Sequence, residues 1–263
     1  MHDIALENFK HILLYMLTKP GANKGLEAMT HIRAVVRNGL ERSTLRDEIY
    51  CQLVKQTHNN LKERCEAFMW ELMAICTGCF APSYFLKNLI KYFEDVMENS
   101  GEVGAWASYC KDRLLKTAER GKRLFVPIKK EINAVQVRKP LMEIFHFVDS
   151  KQKQIPFYSS TTYEEALEFL LQMTGLSNAV GYMVYEQYLI TDEIKGESQT
   201  VERSLLASEV ICTSLSKFEA FKSSFDNKPH IKADGRFLIK RKLFLGNIEK
   251  NEENLLFHQV ITL

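Results

Sequence analysis

Apolar residues recur with a helical period through roughly the first 120 positions and with a strand-like period after position 140. Residues 5–17 (ALENFKHILLYML) set Leu6, Phe9, Ile12, Leu13 and Met16 on one stripe, and Pro20-Gly21 marks the stop. A second helix is predicted over 26–37, closed by Gly39. The third opens in "LRDEIYCQLVKQTHNN" (45–60), where Leu45, Ile49 and Leu53 recur every four residues beside Tyr50 and Val54. Two more, over 66–76 and 83–97, flank a Gly-Cys-Phe-Ala-Pro break, and 106–120 ends at Gly121. No alternating stretch interrupts this half, which predicts an all-helical bundle of domain size over residues 1–124.

The period changes after Lys139-Pro140. Residues 141–148 alternate around Met142, Ile144 and Phe145, and Lys151-Gln152-Lys153 turns the chain into a second strand over 154–159. A capped helix follows, with Thr162 at the N-cap, Glu165 completing a capping box, Leu167, Leu170 and Leu171 inside, and Gly175 at the stop. Residues 182–189 read as a strand rich in aromatic and β-branched side chains, 201–223 as helix and 236–245 as strand. A hairpin, a crossing helix and further strands make an α+β module of the β-grasp kind, the arrangement of ubiquitin. Residues 125–137 include Phe125, Val126, Pro127 and Ile128, too apolar for a loose tether, and are expected to pack as a linker between the two parts. Residues 252–263 begin an amphipathic helix through Leu255, Leu256, Val260 and Leu263 with no C-cap, which implies a further helical unit beyond it.

Composition narrows the function classes. With 46% hydrophobic and 26% charged residues, the chain can bury a sizeable core. A net charge of +2 gives no global field to attract nucleic acid, so any electrostatic function rests on local clusters. Six irregularly spaced cysteines do not form a disulfide framework, and the acidic start Met-His-Asp-Ile-Ala-Leu-Glu is unlike a signal peptide. The longest uncharged run, 72–86, is broken by Pro82 and falls short of the roughly 20 residues of a membrane span. These features predict a soluble, cytoplasmic protein with reduced thiols.

Candidate chemistry is sparse. Cys76-Thr-Gly-Cys79 lacks the second pair of ligands a zinc site needs and reads as buried small hydrophobes at a helix break. The seven histidines are scattered, and no glycine-rich phosphate loop or nucleophile elbow is present. No catalytic, metal or cofactor residue is therefore assigned, and an enzyme of unrecognised type is the competing class. Charge is more telling. Between Lys111 and Lys139 ten lysines and arginines face three acids. Lys111, Arg113, Lys116, Arg120, Lys122 and Arg123 stand out there as a basic surface for an acidic partner, set against a merely solvated face or cations serving the helix dipole. A second cluster, Lys228 to Lys242, sets six bases against Asp234. In the third helix Thr44 is a plausible N-cap, and Asp47 and Glu48 suit the positive end of the dipole. Arg46 does not. It is expected to pair with an acid from a neighbouring element, making the helix start a registration point.

"LRDEIYCQLVKQTHNN", Trp70, "CTGCFAPS" (76–83) and "WASYCKDRL" (106–114) closely resemble the MyTH4 domain. The β-grasp segment, with "RFLIKRKLFL" and "NLLFHQV", resembles the F1 lobe (138–245, with its connection to F2) and the start of the F2 lobe (246–263) of a FERM domain. The resemblance implies the tail tandem of unconventional myosins of classes such as VII, X and XV, or of a kinesin-like or pleckstrin-homology adaptor. Arg46, Asp47, Glu48 and Trp70 belong to its structural motifs. The family commonly has Arg-Gly-Trp where this chain has Phe68-Met69-Trp70, so a contact made by that arginine is lost. The resemblance further implies a non-catalytic cytoskeletal adaptor that binds protein cargo or acidic peptides and some microtubules. A weak anionic-membrane contact is also implied; nucleic acid is not, and actin would be met only through a motor domain outside this sequence.

Overall fold

The computed structural model describes residues 2–17, 24–58, 63–98, 101–175 and 181–241. They fall into two compact units, divided between Lys139 and Pro140.

The first unit is helical. Its elements are α1 (His2–Leu17), α2 (Lys24–Glu41), a 3-10 turn (Ser43–Leu45), α3 (Arg46–Thr57), α4 (Glu63–Thr77), α5 (Leu86–Met97), α6 (Glu102–Arg120) and α7 (Lys129–Gln136). α4 runs through the centre, with Met69, Trp70, Leu72 and Met73 fully buried. Ile49, Tyr50 and Leu53 of α3, Leu89 and Phe93 of α5, and Leu114 of α6 close around it. Trp70 lies parallel to Tyr92 at 6.2 Å, and the Tyr50 hydroxyl donates to the Phe80 carbonyl at 2.5 Å. That bond satisfies a phenol that would otherwise be an unpaired polar group in the core.

Several sequence expectations need correction here. Gly39 does not close α2, which continues to Glu41. The glycine is there because the Phe80 ring lies on its backbone, where a Cβ would come within 2.2 Å of the ring carbons. In α1 the buried residues are Asn8, Ile12 and Tyr15, while Leu6 is half-exposed. Asn8 is held inside by Gln52 at 3.2 Å and by Asn38 at 3.1 Å, so a polar residue takes a core position. Thr44 is not the cap of α3; it lies in the 3-10 turn, and Leu45 precedes the helix without a side-chain cap. The linker over 125–137 is largely structured: α7 buries Glu131, Ile132 and Val135 within the helical unit.

The second unit is a five-stranded sheet with two helices: β1 (Leu141–Phe147), β2 (Gln152–Phe157), α8 (Tyr163–Thr174), β3 (Tyr182–Asp192), β4 (Glu197–Ser204), α9 (Ile211–Ser223) and β5 (Ile231–Arg241). The strand order is β2-β1-β5-β3-β4. β1 and β5 run parallel, with Phe145 opposite Phe237, and the other neighbours are antiparallel. This is the β-grasp order. The capping box forms, with Glu165 N–H donating to the Thr162 hydroxyl and Thr162 N–H to the Glu165 carboxylate, and Gly175 takes a left-handed φ of 74°. Phe237 is the hub of the core, 4.8 Å from Phe145, 5.1 Å from Phe218 and 5.8 Å from Tyr163.

Two expectations change in this unit. Leu141, Phe145 and Phe147 face the core, whereas Met142 and Ile144 are about 40% exposed on the other face. Residues 201–204, expected to start a helix, instead end β4, and helix begins only at Ile211. Their polar sequence has no apolar alternation because nearly all of β4 is exposed. The stop at Pro20-Gly21 and the segments over 242–263, including the expected amphipathic helix, lie outside the described residues.

Candidate partner-binding surface

The basic cluster at the end of α6 separates into two kinds of cation. Arg113 is buried, and its Nε donates to the Ala74 carbonyl in the last turn of α4 at 2.8 Å. Its guanidinium fills the space over Gly78, where a Cβ would sit 1.9 Å from Nη2. Lys122 Nζ donates to the Leu40 carbonyl in the last turn of α2 at 2.7 Å. Arg123 forms a buried ion pair with Glu131 of α7. Lys111 meets Glu94 of α5 at 2.9 Å. Lys116 and Arg120, one turn apart, are exposed. The expected basic surface is therefore smaller than the sequence implied: burial removes Arg113 and Arg123 from it, since a side chain in the interior cannot meet a partner.

Arg46, Arg113 and Lys122 share a physical role, each donating to a carbonyl near a helix end. The last carbonyls of a helix lack intrahelical donors and carry the negative end of its dipole. At the end of α2, Gly39 O accepts from Arg46 Nε at 2.8 Å and Leu40 O from Lys122 Nζ. Arg46, ill-placed at the start of its own helix, thus sits at the favourable end of another. Its partner is a carbonyl, not the acid expected.

Asp47 reaches outward in the same way. Its carboxylate accepts from the backbone N–H groups of Ser83, Tyr84 and Phe85 at 2.8–3.2 Å, immediately before α5. Glu48 accepts from Gln52 Nε2 at 2.9 Å. Gln52 also donates to the Ala5 carbonyl and accepts from Asn8, both on α1. The tripeptide thus contacts α2, the entry to α5 and, through Gln52, α1. Trp70 is wholly inside the bundle and belongs to packing.

Cys76, Cys79 and Cys110 are buried together in the bundle. Burial pushes all three thiols up, Cys79 to about 12, so the reactive thiolate is disfavoured at neutral pH. Among the described residues no group of three or more His, Cys, Asp or Glu is arranged to hold a metal, and no helix is long and apolar enough to cross a membrane.

The second basic cluster disperses into internal contacts. Lys232 meets Glu193, Arg236 meets Gln187 and Lys240 meets Glu202, while Arg241 lies over the Tyr182 ring at 5.6 Å. Lys242 lies outside the described residues.

One polar centre escaped the sequence reading. Glu186 of β3 is 1% exposed and accepts from Arg203 Nε at 2.9 Å, Lys217 at 3.2 Å, Tyr188 at 3.1 Å and the Ser214 hydroxyl. Arg203 also grips Glu209 through both terminal nitrogens. Burial raises the Glu186 carboxyl, but the hydrogen bonds from Arg203 and Ser214 and the charge of Lys217 outweigh it and hold it below the ordinary value. A signal existed, because strand period places Glu186 on the same face as Val184 and Tyr188.

The chain is thus a helical bundle followed by a β-grasp unit, with helix-end contacts at the motif positions. Residues 32–134 match the MyTH4 domain and residues 139–243 an RA-like domain. The unconventional myosin heavy chain 6 of Caenorhabditis elegans is 35% identical over 62% of this chain and 8% of its own length. The myosin-I heavy chain of Dictyostelium discoideum is 26% identical over 98% of this chain and 11% of its own length. The chain thus spans only a small part of these relatives. The myosin VII MyTH4-FERM MF1 domain (mutant 2) of Dictyostelium discoideum superposes with a TM-score of 0.86 at 26% identity, covering 98% of this chain and 53% of that one. The human myosin 7b C-terminal MyTH4-FERM domain, solved in complex with the harmonin-a PDZ3 domain, shares the fold with a TM-score of 0.71 at 22% identity, covering 98% of this chain and 51% of that one. Residues 32–134 thus carry a MyTH4 domain and residues 139–243 an RA-like domain, with the fold of the Dictyostelium discoideum myosin VII MyTH4-FERM MF1 domain.

Proposed function

We propose that this tandem is a non-catalytic cargo-binding segment of an unconventional-myosin-like tail, and that Lys116 and Arg120 form part of the surface that meets an acidic protein segment. The observation that carries the reading is the exposure of both side chains on the last turns of α6. The human relative solved with a PDZ domain supports protein partners in general. An acidic cargo peptide and the acidic microtubule surface fit the same chemistry.

The test is the double variant Lys116→Glu/Arg120→Glu. Both side chains are exposed, so the melting temperature should change little. Sedimentation with microtubules, or anisotropy with an acidic peptide, should weaken several-fold, and wild-type binding should fall as salt rises through the screening range. Unchanged binding to both partners would remove this surface from the proposal. Arg123 is excluded from the variant because reversing it would oppose two carboxylates in the core and confound binding with unfolding.

A further inference from the structure

The face of the sheet turned away from α8 and α9 holds a cavity of about 410 Å³. Phe145, Phe237 and Ile239 point into the core, so strand alternation sends His146 of β1 and Arg236, Leu238 and Lys240 of β5 to the opposite face, where they line it. Leu238, only 9% exposed, supplies an apolar floor. Gln187 of β3 and Glu202 of β4 complete one wall.

The polar groups there are joined in a row. Lys240 Nζ donates to Glu202 Oε2, Gln187 Nε2 donates to Glu202 Oε1 at 2.7 Å, and Gln187 Oε1 accepts from Arg236 Nε. Glu202 therefore has a partner on each oxygen, and Lys240 offsets its charge. Arg236 is left unbalanced. Its Nε is held by a neutral amide, and Nη1 and Nη2 have no hydrogen-bond partner among the described residues. Asp234, two positions away on the same strand, is paired with Lys222 of α9. A half-buried guanidinium with a fixed orientation and no acid of its own is suited to recognising an anion. His146 is close enough to feel it. Burial lowers the imidazole pKa from its ordinary 6.5, and Arg236 lowers it further, against smaller opposing effects of Asp234 and Glu143.

We propose that this cavity binds a small molecule through a carboxylate or phosphate group. The Nη edge of Arg236 and the His146 ring take the oxyanion, and Leu238 lies beneath the rest of the ligand. The two terminal nitrogens present N–H groups that match two oxygens of either head group. The volume falls in the range of small-molecule sites and exceeds what the anionic head alone would fill. The site is separate from Lys116 and Arg120, which belong to the helical unit.

NMR titration of the full chain at fixed ionic strength tests this, with acetate, inorganic phosphate, benzoate and phenyl phosphate as probes. Saturable shifts should gather at His146, Gln187, Arg236 and Leu238. The two aromatic probes should bind more tightly than acetate and phosphate, and the preference within each pair assigns the head group. The His146 pKa should rise on saturation, because the anion offsets the charge of Arg236. Arg236→Gln should weaken binding roughly tenfold or more, as loss of a charge-assisted contact does. His146→Asp sets a carboxylate beside Arg236 in the ligand's place and should abolish binding; it serves as the test if Arg236→Gln does not fold. No saturable shift with any probe, no gain from the aromatic body, binding unchanged in Arg236→Gln, or full binding by a folded His146→Asp would overturn the proposal.

Discussion

Arg123 and Glu131 are 8% and 1% exposed at their side chains, close enough to the interior that neither charge tolerates losing the other. Arg123→Ala should strand the Glu131 carboxylate in the core and cost about 3–5 kcal/mol, measured by urea unfolding. The double variant Arg123→Met/Glu131→Leu should recover much of that loss, because it removes both charges and fills the space with apolar atoms. Exposed Lys116, by contrast, should tolerate alanine with almost no change. The same residue type in one short stretch thus does different work according to what surrounds it.

Polar contacts at the helix ends add to the apolar packing between elements. Arg46 and Lys122 finish α2, Arg113 finishes α4, and Asp47 precedes α5. Along their lengths, α1 and α2 meet at His11 and His31, whose Nδ1 atoms are 3.0 Å apart. That distance suits one shared proton and not two. Burial lowers the His31 pKa from its ordinary 6.5, and the neighbouring His11 lowers it further, against a smaller opposing effect of Glu27. A depressed histidine favours the neutral form in the fold, so its contribution is complete above the unfolded value and declines as pH falls through and below it. Stability should therefore drop between pH 7.5 and 5, and His31→Asn should flatten that part of the profile. A thermal-melt series over pH reads both slopes.

At the scale of the whole molecule, each unit has its own polar anchor and its own response to acid. The Glu186 carboxyl is held below its ordinary value, and so is Glu209, chiefly by its hydrogen bonds to Arg203. Depressed carboxylates stabilise fully above the ordinary range and lose their contribution as pH falls below it. Hydrogen exchange should show protection of β3, β4 and α9 falling below pH 4.5, with Glu186→Gln lowering neutral-pH protection and reducing the acid slope. Both tryptophans, Trp70 and Trp106, lie in the helical unit, so their fluorescence provides a separate probe of that unit.

Most elements of the fold were legible from local pattern. Helical periodicity located six helices of the bundle, and Thr162, Glu165 and Gly175 bounded α8, because caps and stops are set by neighbouring residues in sequence. β4 was not legible. An exposed edge strand buries too little to need an apolar face, so its sequence carries no alternation, and its pairing with β3 defines it. The basic cluster was legible as composition but not as a surface. Whether a lysine or arginine meets a carbonyl, a buried carboxylate or water depends on which helix ends lie within reach of its side chain. Those ends come from residues tens of positions away, as when Lys122 reaches Leu40 and Arg113 reaches Ala74. The sequence by itself determined most of the elements and the total charge. Tertiary structure alone decided which cations were spent on dipoles and which were left facing solvent.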